Sequence, residues 1–363
     1  MTEKPSEKLV RRVAERLPRR AMMHGVSAAS AAAVLTGMAA RARAADAGPF
    51  PAHPKWRFVF VNHVTTNPFF VPTQYGIQDA CALLGCTYQW TGSEISDVAQ
   101  MVNAMNAAIA ARADGIAVAI VDPKGFDKPT ARALDAGIPV FSYNADAPRG
   151  SANRRLAYIG QDLYLSGYQM GERIVKLVGS GEVALFIATP GQLNIQPRIN
   201  GAADAIKKSG ASITYHEIAS GPTVNGELST IKAYYLGHKN VKGLFAVDAG
   251  STESIGEAMR LYGLAKKGVK AGGFDLLPNS LKAVHDGYLD FIIDQQPYLQ
   301  GFYTVMELFM YKASGGLVGP ADINTGLKFV TKEAVKPYLV TKTRYEGSSS
   351  AAQILKRSGP IAG

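Results

Sequence analysis

Polar side chains follow several short apolar runs of this sequence, at positions where a β-strand would end and a helix would begin. The set consists of Asn144, Asp146, Asp248, Asp275 and Gln295. Planar carboxylate and amide groups can each bind two neighbouring hydroxyl groups, and so can the guanidinium of Arg198, which stands at a predicted helix start. A single aspartate at such a junction is more often a helix cap or a turn residue. The shared placement of the set indicates recognition of a sugar or polyol.

A second feature is the segment Asn67-Pro68-Phe69-Phe70, which follows the apolar run 58–61. Pro68 suits the first turn of a helix, because its missing N–H has no partner to lose there. Asn67 is then expected near the helix start, with Phe69 and Phe70 in its first turn. An aromatic ring at this place can cover the apolar C–H face of a sugar. Filling the core beneath the helix is the alternative interpretation for either ring.

These residues lie within a regular alternation of strand-like and helical segments. Apolar runs predict strands at 58–61, 87–90, 115–121, 139–143, 183–188, 213–216, 243–247, 269–274 and 291–294. Helical patterns include one opened by Ser96 or Asp97, one opened by Asp162, and others at 196–208, 227–236, 254–261, 279–286 and 297–311.

Two such series of comparable length predict two similar α/β lobes, each a parallel sheet covered by helices on both faces. Ligands of open α/β sheets bind beyond the carboxyl ends of the strands. The polar residues named above are expected at that edge. Gly167 and Gly171, four residues apart on one predicted helix, would allow close helix packing, and two incidental glycines are the alternative.

The first 44 residues have the order of an export signal. They hold nine of the 39 Lys and Arg residues and three of the 29 Asp and Glu residues. The charged part ends at Arg19-Arg20, small residues dominate 25–40, and Ala42-Arg43-Ala44 matches a small-x-small cleavage site. We predict cleavage near Ala44, a linker over 45–55 and a periplasmic mature protein.

The export route is left open. The adjacent arginines and the stretch rich in Ala, Ser and Gly resemble a twin-arginine signal, but Ala21, Met22 and Met23 depart from the residues usual after the pair. The general export route, an amphipathic N-terminal helix and a mitochondrial presequence are the alternatives for this segment.

The net charge of +10 does not indicate nucleic-acid binding, because the basic excess lies largely in the first segment. After residue 44, 30 basic and 26 acidic residues remain, a net charge of +4. We therefore expect no nucleic-acid partner. No later stretch has the roughly 18 uncharged apolar residues needed to span a bilayer, so the mature chain is predicted to be soluble.

The sequence lacks the motifs of several common enzyme classes. None of its six His residues forms a HxxxH or HExxH spacing. It has no GxSxG nucleophile turn, no GxxxxGK[ST] phosphate loop and no GxGxxG after the first strand. We predict that the protein is not an enzyme and binds neither a metal nor a cofactor.

Cys81 and Cys86 are the only two cysteines of the chain. On a continuous helix, five positions separate the backbones by about 7.5 Å along the axis, which is beyond the usual reach of a disulfide. A helix that ends at Gly85 would relax this geometry. Whether the two are bonded in an exported protein is therefore left open.

Several motifs between Trp56 and Tyr311 together resemble the periplasmic sugar-binding proteins of ABC transporters, in the ribose-binding and galactose-binding group. They are Asn67-Pro68-Phe69-Phe70, the helix at Asp97, Ala113-Asp114-Gly115-Ile116, Ala136-Gly137-Ile138-Pro139-Val140, Tyr158-Ile159-Gly160-Gln161-Asp162, Arg198 with Gly201, Gly272-Gly273-Phe274-Asp275 and Asp294-Gln295-Gln296-Pro297.

The resemblance implies a type I periplasmic binding protein fold, with two doubly wound lobes joined by a three-segment hinge. We expect the first lobe at 56–161 plus 296–325 and the second at 162–295. Chain crossings near Gln161, Gln295 and the segment around Asp322 to Thr325 would form the hinge. Residues 326–363 are expected to be a C-terminal extension of open role.

The family's sugar contacts fall on Asn67, Phe69, Phe70, Arg198, Asp248, Asp275 and Gln295. The sequence also departs from the ribose-binding pattern. Asn144-Ala145 stands where ribose binders carry an Asp-Arg pair, with Asp146 one step later; Asp248 replaces a frequent Asn, and Ala249 lacks the acid often found there. Ribose is therefore not carried over as the ligand.

The resemblance implies a monomeric binding protein that captures a neutral monosaccharide or polyol between its lobes and delivers it to the membrane permease of an ABC transporter. A chemoreceptor as an additional partner is compatible with the same residues. A transcription regulator of the LacI type has the same two-lobed fold. It would need an N-terminal helix-turn-helix, whereas residues 1–55 have the character of an export signal.

Overall fold

The computed structural model describes residues 52–317 and 319–340 of the 363-residue chain, which form an α/β structure. The strands are β1 Arg57–Asn62, β2 Thr87–Gly92, β3 Gly115–Val118, β4 Val140–Tyr143, β5 Tyr158–Gly160, β6 Gly181–Ile187, β7 Ile213–Ala219, β8 Gly243–Ala246, β9 Lys270–Phe274, β10 Phe291–Asp294, β11 Asp322–Asn324 and β12 Lys328–Val330.

The α-helices alternate with these strands. They are α1 Val71–Leu84, α2 Val98–Ala110, α3 Asp127–Asp135, α4 Leu163–Val178, α5 Gln196–Ser209, α6 Val224–Gly237, α7 Ala249–Leu261, α8 Pro278–Asp286, α9 Pro297–Ser314 and α10 Lys336–Leu339. Two short 3₁₀ helices, Pro68–Phe70 and Ala265–Lys267, precede α1 and β9.

The strands form two six-stranded sheets. The first has the order β11-β5-β4-β3-β1-β2 and is parallel throughout. The second has the order β12-β10-β9-β8-β6-β7 and is parallel except for the antiparallel pair of β10 and β12. We call each sheet with its covering helices the first and the second lobe. The prediction of two parallel-sheet α/β lobes is confirmed.

The chain passes between the sheets at three places: between β5 and α4, between β10 and α9, and between β11 and β12. The last passage brings Lys328–Val330 into the second sheet, although this segment belongs to the region expected to be a C-terminal extension. Val335 and Tyr338 then pack into the core of the second lobe. A part of that region therefore completes the second lobe.

Helix α9 returns to the first lobe and packs against α1 through glycines. A Cβ atom at Gly76 would lie 2.1 Å from the carbonyl oxygen of Tyr298, and one at Gly301 would lie 2.1 Å from that of Thr73. Since no side chain tolerates such distances, the two helices approach as closely as their backbones allow. This contact holds α9 to the first lobe after the second crossing.

Two predicted helix starts are confirmed, while the helix predicted from 254 begins at Ala249 and the strand predicted to end at 216 ends at Ala219. Asp97 caps α2 by accepting from the Gln100 N–H, and Asp162 caps α4 by accepting from the Leu165 N–H. The strand predicted at 115–121 ends earlier, at Val118. Strands β5, β11 and β12 have only three residues each and were not predicted.

Both cysteines are buried free thiols in the structure. Helix α1 ends at Gly85, whose left-handed φ of 67° closes the helix. The helix therefore ends at Gly85, as a disulfide between Cys81 and Cys86 would require, but the two thiols are not bonded to each other. The neighbouring Cys86 thiol and burial raise the pKa of Cys81.

No helix in the part of the chain that the structure describes is long and apolar enough to cross a membrane. The predicted export signal and its cleavage site near Ala44, with most of the linker, lie outside the described residues.

Candidate ligand-binding site

A small cavity lies between the two lobes, at the carboxyl ends of their strands. Its volume is only about 60 Å³, well below the roughly 300–1,000 Å³ typical of small-molecule sites. The first lobe contributes His63, Val64, Asn67, Phe69, Phe70 and Asn144. The second lobe and the crossing contribute Asn194, Ile195, Arg198, Asp248, Ala249, Asp275 and Gln295. Eight of the nine residues predicted from the sequence line this one cavity.

The aromatic side of the cavity is built by the turn that precedes α1. Asn67 caps this turn, with its Oδ1 accepting from the Phe69 N–H at 2.9 Å. The rings of Phe69 and Phe70 pack edge to face, with centroids 4.7 Å apart. Phe70 also contacts Trp90 and His63, at 5.9 and 5.4 Å between centroids. Such packing fixes the rings before any ligand arrives.

Arg198, on the first turn of α5, is the cation of the cavity. One of its terminal nitrogens donates to the Val247 carbonyl at 2.8 Å, and the other to the Gln161 side chain at 3.2 Å. Its guanidinium lies 4.0 Å from the ring centroid of Phe274. Burial lowers the pKa of Arg198, and the charge of Asp275 acts in the opposite direction. The guanidinium remains charged, because it stays protonated in proteins. Its buried Nε has no hydrogen-bond partner in the structure.

Asp275 lies in the left-handed region, with a φ of 77°. Its Oδ1 accepts from the Gln295 amide at 2.6 Å. Burial raises the pKa of Asp275 to about 6, and the nearby Arg198 acts in the opposite direction. Left-handed backbone costs energy for a residue other than glycine and is concentrated at functional sites, which fits a carboxylate held for a ligand.

A chain of amides connects Asp275 to the first lobe. Gln300, fully buried on α9, donates to the Gln295 side chain at 3.1 Å. The Oε1 of Gln300 accepts from the Asn144 amide at 3.2 Å. Asn144 is also left-handed, with a φ of 63°. Gln300 does not line the cavity and was not predicted from the sequence, but it orients two residues that do.

Asp248 lines the cavity, yet both of its carboxylate oxygens already accept backbone hydrogen bonds. They come from the Ser251 N–H at 2.8 Å, which caps α7, and from the Ala188 N–H at 2.9 Å. Burial raises the pKa of Asp248. Behind it lies Glu227, whose pKa is raised to about 9 by burial and by the charge of Asp248. A proton is therefore held beside Asp248 at neutral pH.

Asp146 is the exception among the predicted residues, and its predicted place in the site is corrected. Its carboxylate is bound by Arg155, with distances of 2.7 Å to Nε and 2.5 Å to Nη2, and by the Ser142 hydroxyl at 2.6 Å. It lines a separate cavity beside the hinge, together with Arg149 and Asp322. Arg155, which neutralises Asp146, is only nine residues away in the sequence, but the pairing of the two side chains is evident only in the fold.

The sequence did not indicate His63 or Asn194, which meet across the cavity. The Nε2 of His63 lies 3.2 Å from the Asn194 amide nitrogen. Burial lowers the pKa of His63 to about 3, so the ring is neutral and can accept from this amide. Its Nδ1 is buried without a partner in the structure. The position of His63 directly after β1 is the one sequence feature that could have indicated its place in the cavity.

The position of Arg198 depends on close contact between α4 and α5. A Cβ atom at Gly167 would lie 2.0 Å from the carbonyl oxygen of Arg198, and one at Gly201 would lie 2.2 Å from that of Tyr164. The prediction that Gly167 and Gly171 allow close backbone packing is confirmed, because a Cβ at Gly171 would likewise lie 2.5 Å from the Ala202 carbonyl.

We expect Gly167→Ala to displace α5 and with it Arg198, so that ligand affinity and thermal stability both fall. Overpacking of this kind costs about 1–3 kcal/mol or more. Thermal unfolding and calorimetric titration measure the two effects. Gly237→Ala is the control, because a Cβ atom there meets nothing within 4 Å. Unchanged stability and affinity in Gly167→Ala would contradict the role assigned to this contact.

Residues 58–315 match the model of the periplasmic binding protein domain family. The chain is 54% identical over 316 residues to the xylose/arabinose-binding protein XylF of Sulfolobus acidocaldarius, covering 84% of this chain and 78% of that protein.

Solved structures agree with this match. A solute-binding protein of an ABC transporter from Burkholderia graminis, in complex with D-arabinose, is 28% identical with a TM-score of 0.73, over 79% of this chain and 99% of that one. A carbohydrate transporter protein from Acidothermus cellulolyticus, in complex with myo-inositol, is 25% identical with a TM-score of 0.70, over 79% and 97%. The chain therefore belongs to the periplasmic binding protein domain family.

Proposed function

We propose that this protein captures a neutral monosaccharide between its lobes and delivers it to the permease of an ABC transporter. The observation that carries the proposal is that two aromatic rings of one lobe meet Arg198, Asp275 and Gln295 in one cavity. Rings cover the apolar face of a sugar, and the planar polar groups bind its hydroxyls. The other predicted contacts in this cavity are Asn67, Asn144 and Asp248.

The charges of the cavity favour an uncharged ligand. Arg198 is the one cation among its lining residues, and it is accompanied by Asp248 and Asp275. An anionic ligand would bring a further negative charge into a site that excludes water, at a large desolvation cost. A sugar offers hydroxyl groups that both donate and accept.

Among neutral sugars we place pentoses first. The relative of 54% identity carries the name of a xylose/arabinose-binding protein, and a structural neighbour was solved with D-arabinose. The relatives that match this chain in sequence carry the names of binding proteins and not of transcription regulators. This supports the transport role over the regulator alternative.

We propose that the protein is cleaved near Ala44, released into the periplasm and active as a monomer. We propose a chemoreceptor that binds the liganded form as an additional partner of the protein. N-terminal sequencing of the protein recovered from the periplasm tests the cleavage, and retention of residues 1–44 on the active protein would argue against export.

Calorimetric titration of the mature protein with a panel of sugars tests the proposed ligand class. We expect binding of at least one pentose with a dissociation constant on the order of micromolar, equivalent to roughly −8 kcal/mol. Xylose, arabinose and ribose represent the pentoses, and glucose, galactose and myo-inositol the larger neutral ligands. Glucose 6-phosphate and glutamate are the charged controls. Tight binding of a charged control without binding of any neutral sugar would overturn the proposal.

A further inference from the structure

The segment between β6 and α5 reaches from the second lobe onto the first. Gln192 makes two contacts there with one residue. Its Oε1 accepts from the Ser96 hydroxyl at 2.8 Å, and its Nε2 donates to the Ser96 carbonyl oxygen at 3.3 Å. Because the Gln192 amide both accepts from and donates to Ser96, it fixes the relative position of the two segments that carry these residues.

The next residue, Leu193, adds a backbone bond and an apolar contact. Its N–H donates to the carbonyl oxygen of Val121 at 2.9 Å. Its half-buried side chain packs against the hydrophobic core of the first lobe, to which Val121 belongs. The second lobe thus places this apolar side chain, in addition to Ala249 and Leu277, on the core of the first lobe.

The first lobe presents Ser96 in a prepared conformation. Ser96 has a left-handed φ of 62°, and its N–H donates to the His63 carbonyl at 2.8 Å. The hydroxyl of the buried Ser93 accepts from the N–H groups of Ile95 and Asp97 at 3.2 and 3.0 Å. An unfavourable backbone conformation persists where its surroundings impose it. Residues of the first lobe alone therefore position the Ser96 groups that Gln192 binds.

None of Ser96, Val121, Gln192 and Leu193 lines the ligand cavity, but Asn194 and Ile195, which follow directly in the chain, do. Ser96 also follows β2, the strand at the sheet edge opposite β11 and β5, through which the chain crosses. The contact of Gln192 with Ser96 at this edge lies at a distance from the hinge strands, whereas Leu193 also lines the cavity beside the hinge. Both contacts can act on lobe closure without touching a ligand.

We propose that Gln192 and Leu193 form a latch, which closes on Ser96 and Val121 and sets the rate at which bound sugar is released. The inference rests on the proposed function, since it concerns the same site. Contacts that exist only between closed lobes stabilise the liganded state. Weakening them lowers the closed fraction, and the apparent dissociation constant rises by the same factor.

Stopped-flow dissociation and calorimetry of Gln192→Ala and Leu193→Ala, with a sugar that the wild-type protein binds, test the latch. We expect Gln192→Ala to speed dissociation on the order of two- to tenfold, the range that follows from the net value of a typical hydrogen bond. Leu193→Ala should have an effect of similar order, because it keeps the backbone bond but loses apolar contact. The association rate should change little, because interface changes act mainly on dissociation. Gln100→Ala is the matched control, as an exposed glutamine on α2 of the first lobe.

A second readout does not depend on a sugar. Hydrogen exchange of the Leu193 amide, which donates to Val121 across the lobes, reports how often the latch opens. We expect lower protection of this amide in Gln192→Ala than in Gln100→Ala. Unchanged dissociation in both latch variants, or equal protection in the ligand-free proteins, would overturn the latch. If the wild type binds sugar in either case, the proposed function stands without the latch. A wild type that binds no sugar contradicts the proposed function and, with it, the control of sugar release assigned to the latch.

Discussion

Replacement of Arg198 by alanine is expected to weaken sugar binding by on the order of tenfold to a hundredfold or more. Arg198 lines the cavity and its Nε has no partner in the structure. A hydrogen bond to a charged group contributes about 1.5–3 kcal/mol, and about 1.4 kcal/mol corresponds to a factor of ten. Asp275→Ala should have an effect of the same order, since its carboxylate faces the same cavity.

Calorimetric affinity, measured beside thermal unfolding, separates binding from folding. Arg198 is only 2% exposed and anchors the Val247 carbonyl, so its truncation should also reduce stability. Arg198→Lys keeps the charge but loses the planar fork, and should recover only part of the affinity. Arg173→Ala is the control, because Arg173 contacts the rings of Phe291 and Phe329 in the same lobe, away from the cavity. Affinity unchanged by both Arg198→Ala and Asp275→Ala would show that the cavity is assigned wrongly.

Glu227→Gln is expected to remove a large part of the loss of stability between about pH 6.5 and 8.5. The pKa of Glu227 is raised from 4.5 to about 9 by burial, by Asp248 and by Glu253. Between these values the folded protein holds one proton more than the unfolded chain. The stabilisation is full below the unfolded pKa and is lost as the pH rises through the folded pKa, at up to about 1.4 kcal/mol per pH unit.

Urea unfolding at a series of pH values measures this slope. The window lies above the raised pKa of Asp275, about 6, so that this second group contributes little to it. Glu257→Gln is the matched control, because Glu257 is paired with Arg260 on α7 and its pKa is lowered. It should leave the slope as in the wild type. Equal slopes in wild type and Glu227→Gln would contradict a protonated Glu227 beside Asp248.

The sequence predicted the fold and most of the cavity because both depend on regular features. Buried parallel strands are near-continuous apolar runs, and β1 from Phe58 to Val61 is buried throughout. The carboxyl ends of such strands meet at one edge, which is why residues as distant as Asn67 and Asp275 could be placed together. Close helix packing at Gly167 was likewise indicated by glycine spacing.

The features that escaped prediction depend on contacts between distant segments. Asp146 was misplaced because its partner Arg155 is evident only in the fold. His63 and Asn194 become neighbours only when the two lobes meet. Strand β11 is short and largely exposed, so it carries no apolar pattern, and its place is set by pairing with β5.

Small-angle X-ray scattering of the wild-type protein, with and without a saturating sugar identified by calorimetry, tests most directly whether a ligand is held between two lobes. A ligand bound by Phe70 on one side and by Arg198 and Asp275 on the other binds the closed form better than the open form, and this difference drives closure. We predict a smaller radius of gyration in the presence of the sugar and no change with a sugar that does not bind. A radius of gyration that stays the same at saturation would contradict the account.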